Sequence, residues 1–294
     1  MKAKTADKIA TGIFYSGAVT ILSLLLFLIG YILYHGVKVI SWHFLTSPPS
    51  NMAAGGGIGP QLFNSFYLLV LSLLITGPIG LLAGIYLAEY AKSGLIVRFI
   101  RTCIETLSSL PSIIVGLFGL IVFVNMTGWG FSIIAGALAL SVINLPFVVR
   151  ITEESLGNVQ KEYKEGSLAL GATLWQTIIK VLLPTAFPGL ITGFVISAGR
   201  IFGEAAALLY TAGMSSTRLN FARMFSASPT SPLNPFRPAE TLAVHIWKVN
   251  SEGIIPDVRS IADGSAAVLI LVVLGFNLTA RWLGNRMQKR LGSL

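Results

Sequence analysis

Charge is what this sequence has least of. Asp, Glu, Lys and Arg make up 11% of its 294 residues, where a soluble domain carries about a quarter. That shortage excludes an ordinary water-soluble fold. Cysteine is nearly absent: Cys103 stands alone, so neither an internal disulfide nor a cysteine metal cluster can form, and a buried or helix-end thiol is expected. His35, His43 and His245 are scattered without ligand spacing. There is no Gly-Lys dipeptide, hence no G-x-x-x-x-G-K-S/T phosphate loop, which excludes ATP binding of that kind. Long basic runs are missing too. The formal net charge of +9 therefore reads as the Lys and Arg of inner membrane loops, with no nucleic-acid partner.

Apolar residues fill the space: 54% of the chain is hydrophobic. Ile9 to Tyr34 is charge-free over 26 residues. That is longer than the apolar core of a signal peptide, and no small-x-small cleavage site follows, so a retained first helix is expected at 12–34. A second is expected at 62–88, kinked at Gly77-Pro78. Thr106 to Val149 holds 44 uncharged residues, enough for two spans, at 108–125 and 131–149, with a turn at Asn125–Gly130. A fifth falls at 187–210 and a sixth at 262–282. The expected fold is all-α and polytopic. A short cytoplasmic N-terminus, 1–11, precedes one transmembrane domain, 12–294, with an inner loop at 150–186 and a long outer loop at 211–260.

Six spans put both ends on one side. With the ends cytoplasmic, most of the 21 Lys and Arg fall in inner segments, and only Lys38, Arg218, Arg223, Arg237, Lys248 and Arg259 lie outside. The outer loop spaces prolines by three, at 229, 232, 235 and 238. This predicts one side of a polyproline II helix, a stiff exterior spacer or a docking edge. The run "AGGGIGP" (54–60) reads as a flexible exterior loop, or as a nest of amides for an anion. Glu105 is expected to pair with Arg98 or Arg101.

Two charges interrupt the fifth apolar run, in "ISAGRIFGEAAALL" (196–209). A charge at the centre of a membrane helix costs about 2.5–3.5 kcal/mol on insertion scales. On a continuous helix Arg200 and Glu204 share one face, and such faces turn toward a bundle interior or a wet pathway. Arg200 falls past the middle of that helix, toward the outer mouth. Gly189 and Gly193, and Gly199 and Gly203, repeat at four, which lets a neighbouring helix approach closely. Two readings stand side by side. Arg200 meets an anionic substrate with Glu204 offsetting it, or the two form a self-neutralised lock.

The inner loop contains "KEGSLALGATLWQTIIKVLLP" (164–184). Gly171 fits a turn between two short helices. The stretch resembles the cytoplasmic signature of bacterial ABC-importer permeases: Glu-Ala-Ala, three residues, Gly, nine residues, Ile-x-Leu-Pro. Here Glu165, Gly171, Leu183 and Pro184 hold the anchor positions, with Gly166 and Ser167 for the alanines and Val181 for isoleucine. Three more stretches, 55–91, 199–213 and 241–274, make helices two to six similar to the PstA-type permeases of the bacterial phosphate importer. The proline run has no counterpart in that pattern.

The resemblance implies a type I ABC-importer permease fold in the bacterial cell membrane and a transport subunit without catalysis or cofactor of its own. It implies a PstC-type second permease, an ATPase subunit dimer that binds ATP, and an extracytoplasmic phosphate-binding protein. The 150–186 loop would seat in the ATPase, and inorganic phosphate would be the cargo, surrounded by membrane lipids. The family's Arg-x-x-Gly-Glu stretch, implicated in transport, maps onto Arg200 and Glu204. Another oxyanion (sulfate, molybdate or a phosphonate) is the alternative cargo, since the coupling loop is blind to it. A membrane signalling or scaffold protein is the alternative class. An intramembrane enzyme using Glu204 would need a paired acid, base or metal that the spans do not supply.

Overall fold

The computed structural model describes residues 3–50, 54–92, 94–215, 218–253 and 256–291; Lys2 and Ala53 lie outside them. Within lipid every backbone N–H must be satisfied inside its own segment, and the apolar runs accordingly coil. In chain order the helices are α1 (Ala3–Gly36), α2 (Trp42–Thr46), α3 (Gly59–Ile85), α4 (Leu95–Ser109), α5 (Ser112–Gly119), α6 (Ile133–Gly157), α7 (Lys161–Ala169), α8 (Leu174–Thr177), α9 (Leu183–Phe202), α10 (Ala206–Leu209), α11 (Leu242–Glu252) and α12 (Val258–Leu291). Wider π-helical turns extend α3 to Tyr90, extend α5 to Met126 and join α8 to α9. Among the described residues five helices are long and apolar enough to cross a membrane, and α4 with α5 makes a sixth if that bent pair is one span.

The boundaries differ from expectation where proline and glycine act. The third helix was expected at 108–125. It begins at Ser112, because Pro111 pushes Leu110 into an extended conformation (φ −68°, ψ 133°). α4 and α5 meet there at 98°. α4 presents Leu95, Ile96 and Phe99 beside Arg98 and Arg101, the pattern of an interfacial helix. Cys103 sits half-buried inside α4. α3 runs on through Pro78, and α6 runs past 149 to Gly157. The fifth span is Leu174–Phe202 rather than 187–210. Pro184 has no N–H to give the carbonyl one turn back, and the π-helical turns at Ile178–Leu182 absorb that gap. α12 is 34 residues long, about 51 Å at 1.5 Å per residue, so its basic end outruns a roughly 30 Å apolar layer.

α6 is the axis of the bundle, packed between α3 and α9. Glycines set the spacing. A Cβ on Gly80 would stand 2.6 Å from Val148, and one on Gly84 would strike Thr152. On the other flank a Cβ on Gly193 would stand 2.6 Å from Ile151, and one on Gly189 2.8 Å from Ser155 Oγ. The expected close approach therefore holds for Gly189 and Gly193. It does not hold for Gly199 and Gly203, whose nearest neighbours leave ordinary room.

The segment after α10 is no free spacer. Its proline run folds into hydrogen-bonded turns (Ser231 N to Ser228 O, Asn234 N to Ser231 O) rather than a polyproline II helix. The turns wrap Arg237, which is 1% exposed. Its guanidinium donates to Asn64 Oδ1 (2.7 Å), Pro232 O (2.9 Å), Ser231 O (3.1 Å) and Pro238 O (3.2 Å). Burial lowers its pKa to about 10, so it stays charged at neutral pH. Asn64 in turn donates to Glu240 O. The Glu240 carboxylate accepts from Gln61 Nε2 (3.2 Å) and His245 Nδ1 (3.0 Å), and Leu242 N donates to Ser65 Oγ (2.8 Å). Polar groups on the first turns of α3 thus hold the whole 231–245 segment.

The glycine run is likewise committed. Gly57 N donates to Pro48 O, Ile58 N to Phe44 O and Gly59 N to Ser47 O, with Ile58 fully buried. Gly55 N donates to Asp257 Oδ2. These amides hold the entry to α3 against α2, so they form neither the flexible loop nor the anion nest that the sequence suggested.

Removing the Arg237 donors should loosen this segment. Arg237→Met leaves one amide oxygen and three carbonyls without a charged partner, and each buried unsatisfied group costs about 1–3 kcal/mol. The purified protein should melt several degrees lower by thermal scan; an unchanged melting temperature would contradict the assignment.

Candidate functional site

Arg200 lies in the last turn of α9, further along than the sequence implied. Its side chain is exposed, and among the described residues it has no hydrogen bond or ion pair. Glu204 does not share its helix face. α9 ends at Phe202 with Gly203 as its cap. Glu204 then begins a new turn, its Oε1 accepting from Ala207 N at 3.2 Å to start α10. The expected i,i+4 pair is therefore not formed, because the helix stops between its members.

Arg200 opens into a cavity of about 490 Å³ shared with Arg101, Glu105, Arg150, Glu153 and Glu154, with Pro146 and Phe147 in its wall. The cavity follows α6. α9 runs antiparallel to it, with Ser197 Oγ against Asn144 Oδ1 and Gly193 against Ile151. Arg200 enters near the Asn144 level, and Glu154 lies ten residues on, about 15 Å along the helix. Two arginines already hold carboxylates: Arg101 Nη2 lies 2.6 Å from Glu153 Oε1, and Arg150 Nε lies 3.1 Å from Glu154 Oε1. Arg101 thus pairs across to α6, not with Glu105 as expected. The partners range from 29% to 66% exposed, so each pair contributes at most about 1 kcal/mol.

Sequence reading missed this grouping. Arg150, Glu153 and Glu154 look like loop charges at the edge of an apolar run. The available signal was that the helix expected at 131–149 has no stop before Gly157, which places all three on its continuation.

The inner face carries a second feature. α7, a tight turn and α8 form a knuckle. Gly171 makes the turn at φ +86°, where an L side chain would be strained. Thr173 caps α8, exchanging bonds with Gln176 in a capping box. Lys164 Nζ, 2.6 Å from Glu89 Oε2, ties the knuckle to the end of α3, and Ser167 Oγ meets Thr177 Oγ1 at 2.9 Å. Beneath it Ile85, Leu156, Ile178, Leu182, Ala186 and Leu190 form a separate apolar cluster. On top, Tyr163, Leu170 (90% exposed) and Trp175 face outward without cover. Glu165 and Gly171 lie on this knuckle. Leu183 and Pro184 lie past it, where α9 starts, so the expected 150–186 loop is in fact the end of α6, the knuckle and the start of the fifth span. Among the described residues no three His, Cys, Asp or Glu side chains gather as a metal site.

Residues 80–293 match the model of the binding-protein-dependent transport system inner membrane component family. The chain is 56% identical over 291 residues to the probable ABC transporter permease protein YqgI of Bacillus subtilis, covering 99% of each. It is 35% identical over 272 residues to the probable phosphate transport system permease protein PstA of Methanocaldococcus jannaschii, covering 92% of this chain and 91% of that one. Among solved structures it is similar to a bacterial alginate ABC transporter in complex with an alginate-bound periplasmic protein. The TM-score is 0.60 at 18% identity, over 99% of this chain and 98% of the other, a likeness of fold alone.

Proposed function

This chain belongs to the family of binding-protein-dependent transport system inner membrane components, and from that premise we propose that it conducts inorganic phosphate inward. It is a multi-pass permease component of an ABC importer and performs no catalysis itself. The observation that carries the phosphate reading is the unpaired guanidinium of Arg200 opening into a cavity along α6. A guanidinium offers two parallel N–H donors to a phosphate's oxygens. A weak station suits a permease, because it must release what it takes. The relatives named as phosphate permeases support the same cargo. Sulfate, molybdate or a phosphonate would use the same donors, and the fold itself is blind to cargo.

The chain would work beside a PstC-type second permease, with an ATPase dimer below and a phosphate-binding protein outside. Both termini would be cytoplasmic. Glu165, Gly171 and the apolar top of the knuckle would seat in the ATPase. Leu183 and Pro184 would carry its movement into α9, whose far end holds Arg200. An unbroken run of helical turns, α8, the π-helical turns and α9, joins the two, so a push at the knuckle would reach the cavity.

Uptake of labelled phosphate, normalised to assembled complex, tests the role of Arg200. Arg200→Gln should lower uptake at least tenfold. Glu204→Gln keeps the Oε1 acceptor that starts α10, so it should transport far better than Glu204→Ala. Adding Glu204→Gln to Arg200→Gln should restore nothing, since the two do not pair. Near-parental uptake by that double variant would favour the lock reading and eliminate anion contact by Arg200.

Leu170→Asp tests the coupling role separately. The side chain is 90% exposed, so stability should hold within about 0.5 kcal/mol. Co-purification of the ATPase should fall sharply and uptake with it. Normal ATPase recovery with normal uptake would refute the seat.

A further inference from the structure

We propose that the far half of the α6 cavity is a second oxyanion station, held by Arg101 and Arg150, where phosphate trades places with the carboxylates of Glu153 and Glu154. The proposal rests on the reading of this chain as a phosphate conduit. An anion at Arg200 has reached only the Asn144 level of α6, and the cavity continues to Glu154. The guanidiniums lining that remaining length are Arg101 and Arg150.

Four features make these arginines exchangeable rather than structural. Each gives its carboxylate one hydrogen bond, from Nη2 of Arg101 and Nε of Arg150. Among the described residues most of the five donors on each guanidinium have no other acceptor. Carboxylate and phosphate oxygens are the same kind of acceptor for such a fork. Both pairs are also partly open to solvent, so water can solvate a displaced carboxylate while the anion is held.

Charge balance explains why such a station would not trap its cargo. Three guanidiniums (Arg101, Arg150, Arg200) face three carboxylates (Glu105, Glu153, Glu154) around one cavity. A phosphate dianion would find donors but no net positive charge. Each released carboxylate can reclaim its arginine and expel the anion. Arg101 also comes from α4, which the bend at Leu110-Pro111 sets apart from α5. Its pair with Glu153 bridges two walls of the cavity, α4 and α6, so the station draws its donors from both.

The test uses the assembled transporter in inside-out vesicles, with Cys103→Ala and Ser108→Cys. Ser108 lies in the cavity wall, one helical turn from Glu105. Glu105 alone would favour a cationic thiol reagent. The proposal expects an anionic methanethiosulfonate to react at least fivefold faster than a cationic one of similar size, and expects millimolar phosphate to slow it. Arg101→Gln with Glu153→Gln should abolish both the preference and the protection, and should cut uptake at least tenfold per assembled complex. Arg101→Lys should restore part of the preference. Equal rates for the two reagents, a thiol that neither reaches, or parental uptake by the neutral double variant would overturn the station. Protection by sulfate or molybdate without protection by phosphate would uphold the station and instead contradict the phosphate reading. Loss of uptake in Arg200→Gln with no anion preference at Ser108→Cys would do the reverse.

Discussion

The close seating of α6 between α3 and α9 is the constraint on which the rest of the structure depends. Helices in lipid gain little from burying apolar surface against one another, since the tails are as apolar as leucine. Backbone proximity and dense packing must supply the attraction. Gly80 and Gly84 allow it on the α3 side, Gly189 and Gly193 on the α9 side. With both flanks fixed, the remaining face of α6 is left to line a cavity, and the charges on its C-terminal half stand in that lining. One added methyl at Gly80 or Gly193 would push against a branched side chain and shift the wall that carries Arg150, Glu153 and Glu154.

The two ends of the bundle are fastened by different physics. On the side carrying α11, a polar network does the holding: hydrogen bonds join Arg237, Asn64, Glu240, Gln61 and His245 with little access to water, leaving Gln61 Oε1 and His245 Nε2 without a partner among the described residues. Such a network fixes one arrangement, because any slip leaves a buried charge without partners. On the opposite side the knuckle rests on a small apolar cluster, with an ion pair from Lys164 to Glu89. The first end resembles a rigid rim. The second resembles a lever whose top is bare.

Much of this was legible in the sequence, for reasons that particular residues make plain. Long charge-free runs located the spans, because lipid tolerates little else. Gly171 was readable as a turn, and its φ of +86° bears that out. The helix ends were not. Pro111 and Pro184 act through the carbonyls and conformations of neighbours, which a hydropathy pattern does not register. The Arg200–Glu204 spacing suggested a pair only if one helix carried both, and Gly203 ends that helix first. The proline-spaced run hid the buried Arg237. Spacing alone cannot tell a solvated spacer from turns folded around a guanidinium, since the side chain that fixes Arg237 from outside those turns, Asn64, lies 173 residues away in the chain.

A cavity with three guanidiniums and three carboxylates offers the same donors to any small oxyanion, so the central claim is the identity of the cargo. The most direct measurement is ATP-driven accumulation of labelled phosphate in proteoliposomes. They would hold this chain, its partner permease, the ATPase and the external binding protein, with unlabelled sulfate, molybdate and a phosphonate as competitors. The account predicts accumulation that unlabelled phosphate suppresses and the other three leave largely unchanged. Failure to accumulate phosphate by a complex that does accumulate one of the competitors would contradict it.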